Sequence, residues 1–288
     1  MKRLPTTVAA CATVLASTGC RTTNADQPTT DSATASAALA APNVVTFKAV
    51  DYAFAGPDTI RAGLTTVRMQ TGGKEMHQIS IFRIDSGKTV ADVNAMMKNP
   101  NAPPAAWFKE VAGVNAPAPG LAAEVTMNLD AGNYMLLCFI PSPDGVPHMA
   151  KGMVKPLTVT GTAVAAAEPK ADVVMKLSDY AFDMSAPATA GQHMIRVENS
   201  ASQAHEVFIV KLEPGKNAKD LVSWVEKMQG PPPAVPLGGM TGLATGGHAY
   251  FPVTFESGGS YALLCFLPDA KDGKPHIAHG MVKEFKVG

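Results

Sequence analysis

Four residues able to ligate a metal occur twice in the chain, in the same order and with nearly the same separations. Each set contains two histidines, one cysteine and one methionine. Two neutral imidazoles and a thiolate can hold a metal ion in a trigonal plane, with a thioether as a weak axial ligand. This mixed nitrogen and sulfur set suits copper, which cycles between Cu(I) and Cu(II). The two sets are His77, Cys138, His148 and Met153, and His205, Cys265, His276 and Met281.

The sequence around these residues is also duplicated. Asp51-Tyr52-Ala53-Phe54 recurs as Asp179-Tyr180-Ala181-Phe182, an offset of 128 residues. The run from Tyr134 to Cys138 likewise recurs from Tyr261 to Cys265. A period of this size indicates two similar domains and not a solenoid of short repeats. We therefore predict a first domain at 43–161, a linker at 162–171 and a second domain at 172–288.

The pattern within each domain favours β structure. Short β-branched or alternating runs are separated by turn-forming residues such as Gly56-Pro57 and Gly72-Gly73, which is typical of a β-sandwich. In the first domain the predicted strands are 44–54, 66–69, 77–84, 125–129, 134–139 and 153–159.

One helix is predicted in each domain. Apolar residues follow helical spacing after Asn217, a good N-cap residue, and after Thr89 in the first domain. The apolar stripes of these helices are expected to pack against one side of each sandwich. We predict that the proline-rich stretches that follow, 99–119 and 230–245, are irregular.

The first residues resemble an export signal. Lys2 and Arg3 precede an uncharged stretch, 6–18, that is too short to span a bilayer and ends in small residues before Cys20. We predict a signal peptide at 1–19 that resembles a bacterial lipobox, with Cys20 becoming the lipidated first residue. An ordinary signal peptide with an incidental cysteine is the alternative. Residues 20–42, rich in Thr, Ala and Ser, are expected to form a flexible tether.

Composition excludes several other classes of function. Lys and Arg number 24 against 24 for Asp and Glu, so the chain has no basic surface of the kind that binds nucleic acid. Four cysteines are too few for a disulfide scaffold. No phosphate-binding glycine loop, nucleophile elbow or zinc-protease motif occurs.

Together the motifs resemble the cupredoxins, the small blue copper proteins of the plastocyanin and azurin type. The resemblance rests on the early histidines, the Tyr-x-x-x-Cys strands and the His-x-x-x-Gly-Met motifs that begin at His148 and His276. It covers both domains, and it implies an all-β fold of two tandem Greek-key sandwiches with one copper ion per domain.

The loop between the cysteine and the second histidine is longer than in that family. It contains nine residues in the first domain and ten in the second. Both loops contain an Asp-Gly pair, Asp144-Gly145 and Asp272-Gly273. Because this pair favours a tight turn, we predict that each loop folds outward and returns the second histidine to the site.

These features lead to one expected function and two alternatives. We expect a lipid-anchored protein on the periplasmic or cell-surface side that transfers single electrons to other redox proteins there and contacts the membrane only through its anchor. The sequence lacks a His-x-His pair, and on that basis we expect no enzymatic activity. The alternatives are a copper carrier or buffer, and a metal-free binding module.

Structural roles for the same residues remain open alternatives. The two cysteines could be buried apolar side chains or could pair with each other between domains. The histidines could end strands or cap turns, and the methionines could fill the core.

Overall fold

The computed structural model describes residues 39–98, 105–227 and 229–288. The predicted signal peptide, Cys20 and most of the tether lie outside these residues. Within the described ranges, no helix is long and apolar enough to cross a membrane.

The first repeat consists of two β layers. In one layer the strand order is β2-β1-β3-β6, and in the other it is β5-β4-β7-β8; β8 also pairs in parallel with the start of β3 and joins the layers. The strands are β1 (Asn43–Val50), β2 (Ala53–Ala55), β3 (Thr59–Thr71), β4 (Ile79–Ile84), β5 (Phe108–Val114), β6 (Ala122–Leu129), β7 (Gly132–Leu137) and β8 (Val154–Val164).

The second repeat has the same strand order within each layer, but no pair equivalent to β3–β8 is recorded among its described strands. Its layers run β10-β9-β11-β14 and β13-β12-β15-β16. The strands are β9 (Val173–Ser178), β10 (Ala181–Met184), β11 (Gly191–Asn199), β12 (His205–Leu212), β13 (Ala234–Leu243), β14 (His248–Phe255), β15 (Ser260–Leu264) and β16 (Val282–Lys286).

Alternation of side chains along the strands forms the core between the layers. On β3, Val67 and Met69 are fully buried, whereas Arg68 and Gln70 are exposed. Successive side chains of a strand point to opposite faces, so this pattern assigns one face of β3 to the interior. The same apolar core contains Cys138 and Met153, and the predicted metal ligands therefore lie against packed side chains.

Each repeat carries one α-helix outside the sandwich. The helices α1 (Val90–Met97) and α2 (Ala218–Val225) begin with capping boxes formed by Thr89 and Asn217, which satisfy amide groups of the first turn. Val93 of α1 and Leu221 of α2 pack on the outer face of the layer that contains the cysteine strand. Both helices thus support the layer that ends at the candidate sites.

The two repeats meet along two strand edges. Residue Tyr250 of β14 pairs with Thr126 of β6, and Met240 of β13 pairs with Val114 of β5. The prediction that 99–119 and 230–245 are irregular is therefore wrong where β5 and β13 lie. The Gly and Pro residues of these stretches are typical of turns, and they concealed strands that pair mainly with β4 and β12 of their own repeats.

The prediction of an all-β fold is confirmed. The described chain is mostly β, and its two sandwiches each carry one helix. The domain boundaries predicted from the repeat remain a prediction.

Candidate metal centres

Strand ends bring the predicted ligands of the first repeat to one pole of the sandwich. His77 lies just before β4 and Cys138 just after β7. These strands are antiparallel neighbours, with Ser80 opposite Leu137, so the start of one and the end of the other lie side by side. His148 begins a short 3₁₀ helix, and Met153 directly precedes β8.

The long loop returns the second histidine to the cysteine, as predicted from its Asp-Gly pair. Pro141 and Pro147 form an isolated β-bridge, and Gly145 has a positive φ of 79° at the tip. The His148 amide donates to the Ile140 carbonyl at 2.9 Å. The nine-residue connection is therefore a small hairpin whose two ends meet, and it does not separate the ligands.

The first centre groups three buried donors. The Nδ1 atoms of His77 and His148 are 3.2 Å apart, and the Cys138 Sγ lies 3.4 Å from the His148 Nδ1. All three side chains are fully buried. The second centre repeats this arrangement: the His205 and His276 Nδ1 atoms are 2.9 Å apart, and the Cys265 Sγ is 3.2 Å from His276 Nδ1 and 3.9 Å from His205 Nδ1.

Carboxylates set the orientation of three of the four imidazoles. His77 Nε2 donates to Asp51 at 2.7 Å, and His148 Nε2 donates to Glu75 at 2.8 Å. His205 Nε2 makes the equivalent bond to Asp179 at 3.1 Å. Because a carboxylate only accepts, the proton of each neutral ring lies on Nε2, and the Nδ1 lone pair faces the cysteine.

Hydrogen bonds favour the ionised form of the acid partners, and burial favours the neutral form of His77 and His205. Burial acts to raise the pKa of Asp51, but hydrogen bonds from Lys74 and His77 outweigh it and lower the pKa. Burial also lowers the pKa of His77 and of His205 below the usual value. Neutral histidine is the form that ligates a metal, so the resting charge state of these rings suits ligation.

Burial keeps both cysteines as thiols until a cation replaces the proton. It raises the pKa of Cys138 to about 11, and it raises the pKa of Cys265 further. The Gln78 amide points at the Cys138 Sγ at 3.5 Å and the Glu206 amide at the Cys265 Sγ at 3.4 Å. Both cysteines are free, so a disulfide between the repeats is not formed.

The methionines lie beside the clusters along the backbone. The Met153 amide donates to the His148 carbonyl at 2.9 Å, and the Cys138 amide donates to the Met153 carbonyl at 3.3 Å. In the second repeat the Met281 amide donates to the His276 carbonyl at 3.1 Å. Both side chains are fully buried in the core. The structure thus places each methionine next to its cluster, and its role as a ligand stays a prediction.

The geometry fits a soft metal ion. In the first centre two imidazole lone pairs face each other across 3.2 Å, an arrangement that a shared proton or a cation must stabilise. A thiol completes the set, and the three donor atoms lie within 4.8 Å of one another in each centre. Two imidazoles and a thiolate without carboxylate ligands match copper chemistry.

The carboxylates that contact the histidines were not among the site residues predicted from the sequence. Asp51 and Asp179 begin the duplicated Asp-Tyr-Ala-Phe motif, and their repetition was the available signal. Glu75 gave no such signal, because the equivalent residue of the second repeat is Gln203. These side chains do not contact the thiol, so their role emerges only from the imidazole geometry.

Comparisons with known proteins give distant structural likenesses only. No protein-family model matches the chain, and no curated sequence matches it. Similar solved structures include a reduced auracyanin from the photosynthetic bacterium Roseiflexus castenholzii, with 21% identity over 42% of this chain and 99% of that chain, and a TM-score of 0.31. A multicopper oxidase matches with 14% identity over 85% of this chain and 88% of that chain, and a TM-score of 0.25. A copper-containing nitrite reductase from Thermus scotoductus matches with 10% identity over 85% of this chain and 61% of that chain, and a TM-score of 0.23.

The expectation that the chain has no enzymatic activity is wrong. It relied on the lack of a His-x-His pair, yet oxidases and a reductase are among the similar structures. A sandwich fold of this kind hosts enzymes as well as electron carriers, so the fold and a missing motif do not exclude catalysis.

Proposed function

We propose that the chain is a copper-binding protein that transfers single electrons through two centres, one in each repeat. His77, Cys138, His148 and Met153 would hold one ion, and His205, Cys265, His276 and Met281 the other. A copper ion bound in such a set supplies a one-electron Cu(II)/Cu(I) couple.

The observation that carries this proposal is the convergence of Nδ1 and Sγ atoms in two buried clusters. Three of the four imidazoles are oriented before any ion binds, because Asp51, Glu75 and Asp179 hold the outer nitrogens of His77, His148 and His205. Such outer partners fix the ring orientation and raise the basicity of the ligating nitrogen. Burial of the ligands excludes water from the position that an ion would take.

The setting proposed for this activity is outside the cytoplasm. We propose that residues 1–19 direct export, that Cys20 carries the lipid anchor, and that the partners are periplasmic or cell-surface redox proteins. These proposals rest on the sequence of the N-terminal segment.

The test is a copper titration of the purified protein with the visible spectrum recorded at each addition. We expect two equivalents of Cu(II) and an intense thiolate-to-copper band. Cys138→Ala and Cys265→Ala should each remove one equivalent and about half of the band. Ser86→Ala, at an exposed position between β4 and α1, is the matched control and should retain both.

Two results would contradict the proposal. Stoichiometric copper binding without the band would indicate a carrier or buffer that does not use the thiolates. A protein that takes up no copper would be a metal-free module, and both metal-based functions would then be excluded.

A further inference from the structure

The two centres differ at the outer nitrogen of their second histidine. In the first repeat His148 Nε2 donates to the Glu75 carboxylate at 2.8 Å. In the second repeat His276 Nε2 is buried and has no hydrogen-bond partner among the described residues. The nearest carboxylate oxygen recorded there, Oδ2 of Asp269, is 3.8 Å away.

Two exchanges between the repeats produce this difference. The position of Glu75 is Gln203 in the second repeat, and the position of Ser142 is Asp269. The carboxylate thus lies in the segment before the first histidine in the first repeat, and in the loop after the cysteine in the second. From there Asp269 accepts hydrogen bonds from Tyr180 at 2.5 Å and from Gln203 at 2.8 Å.

The equivalent tyrosine holds the carboxylate in both repeats. Tyr52 donates to Glu75 Oε1 at 2.7 Å, which leaves the other oxygen of Glu75 free to reach His148. Asp269 uses the same oxygen, Oδ2, for both Tyr180 and Gln203, and backbone amides of the loop bind its second oxygen. Both oxygens of Asp269 thus already accept hydrogen bonds.

A carboxylate on the outer N–H of a ligating imidazole increases electron donation from the ring to the metal and favours the more positive metal state. We propose that Glu75 is a positioning residue that makes the two centres unequal: the first repeat binds Cu(II) more tightly and has the lower reduction potential. An electron shared by the two centres then resides in the second repeat. This inference rests on the proposed function, because it concerns the same copper centres.

The other charged groups near the centres must be accounted for. Asp51 and Asp179 contact equivalent histidines, at 2.7 and 3.1 Å, and so act on both centres in the same direction. Glu206 lies next to His205, where the first repeat has Gln78, and a charge there would also lower the potential of the second centre. Glu110 also lies near the second centre, where it accepts from the Gly242 amide at 3.1 Å. Both isolated centres are therefore compared in a Glu206→Gln, Glu110→Gln background, which removes these two carboxylates from the comparison.

The experiment isolates each centre and compares their potentials. Cys265→Ala leaves only the first centre and Cys138→Ala only the second. With Glu206→Gln and Glu110→Gln in both proteins, the first centre should favour Cu(II) over Cu(I) at least about tenfold more than the second, which equals about 59 mV for a one-electron couple. Glu75→Gln in the Cys265→Ala background should remove most of this difference. Glu124→Gln, an exposed glutamate paired with Arg68, is the matched control and should change neither potential.

A reciprocal variant tests the same idea in the second repeat. Gln203→Glu combined with Asp269→Ser recreates the arrangement of the first repeat, and it should lower the potential of the second centre. Equal potentials in the two isolated centres, or a first centre that Glu75→Gln leaves unchanged, would overturn the inference while leaving the copper function intact.

A metal-free measurement separates failure of this inference from failure of the proposed function. In the apoprotein, nitrogen NMR of His148 should show the proton on Nε2, and Glu75→Gln should increase the fraction with the proton on Nδ1. If His148 keeps its proton position in that variant, Glu75 does not set the ring, whether or not copper binds.

Discussion

Glu206 accepts a hydrogen bond from the side-chain amide of Asn115 at 2.9 Å, and this bond joins the first histidine segment of the second repeat to the end of β5 in the first. The same carboxylate accepts from the Phe266 amide at 2.6 Å. Glu110 of β5 also crosses the boundary, since it accepts from the Gly242 amide at 3.1 Å. A buried glutamate, Glu206, and a partly buried one, Glu110, thus lie where the repeats meet.

These glutamates predict a pH-dependent contribution to stability. Burial raises the pKa of Glu110 from 4.5 to about 8, so between these values the folded state keeps a proton that the unfolded state has lost. The favourable contribution is complete below about pH 4.5 and is lost as the pH rises toward 8. Its size is a few kcal/mol, at about 1.4 kcal/mol per pKa unit. Urea unfolding of the metal-free protein should show that Glu110→Gln gains stability relative to wild type as the pH rises.

A matched variant controls that comparison. Glu226→Gln changes an exposed glutamate at the end of α2, and its pH profile should follow that of wild type. A Glu110→Gln profile parallel to wild type would show that Glu110 ionises normally in the folded state.

Neighbouring chain segments lie so close to Gly113, at the boundary between the repeats, that we expect this position to require glycine. A Cβ there would lie 1.9 Å from the Ile79 carbonyl oxygen and 2.6 Å from the Thr241 hydroxyl. We expect Gly113→Ala to lower the free energy of unfolding by about 3 kcal/mol or more, as overpacking against backbone does. Gly87→Ala, with a positive φ of 84° but nothing within 4 Å, should cost only about 1 kcal/mol of backbone strain. Equal losses in thermal unfolding would contradict this account.

The hydrogen bond between Asp51 and His77 predicts a loss of copper affinity without loss of fold. Asp51→Asn should weaken Cu(II) binding about 10–100-fold, because an outer partner of a ligating histidine is lost. Competition with a chelator measures the affinity, and circular dichroism checks the fold. Asp130→Asn, an exposed aspartate near Arg83, should bind copper as wild type does. If Asp51→Asn did the same, the bond would not orient the ligand.

Substitution of the core methionines distinguishes a ligand from a packing residue. Met153→Leu nearly conserves volume and should cost less than about 1.5 kcal/mol of stability. If its sulfur is an axial ligand, the visible spectrum and potential of the first centre should nevertheless shift. Met135→Leu, equally buried beside α1, should change neither. An unchanged spectrum in Met153→Leu would assign this methionine to the core alone.

The thiol of Cys138 predicts proton release on copper binding. Its pKa of about 11 means that the thiol is protonated at neutral pH, and a thiolate ligand must lose that proton. Calorimetry in buffers of different ionisation enthalpy should report about one proton released per copper in Cys265→Ala, which retains only this centre. A value near zero would show that copper binds without the thiolate.

The grouping of the two histidines with the cysteine in each repeat was predictable, because the chain presents these residues twice. One histidine before a strand is weak evidence, but His77 and His205 occur at the same place in two copies, as do the cysteines. The Asp-Gly pairs also predicted correctly that the loops return to the site. Because those hairpins depend on a few residues that are close together in sequence, their conformation can be predicted locally.

Other features depend on contacts that cannot be recognised from the sequence repeat. The strands β5 and β13 were missed because Gly and Pro in these stretches suggest turns, whereas their pairing with β4 and β12 joins residues distant in sequence. The contact of Glu75 with His148 was also missed, since it joins residues 73 positions apart and has no counterpart in the second copy. The sequence repeat therefore indicates the features that the two copies share, but not those found in only one of them.

The pairing of β6 with β14 and of β5 with β13 covers strand edges that a single repeat would leave exposed. At these strands each layer meets only the other repeat. One copy made alone would therefore present two open strand edges, which are templates for association with another chain. Two such copies could close each other in the same way. The two repeats are therefore related as the subunits of a symmetric dimer are, because each boundary strand pairs with its own counterpart.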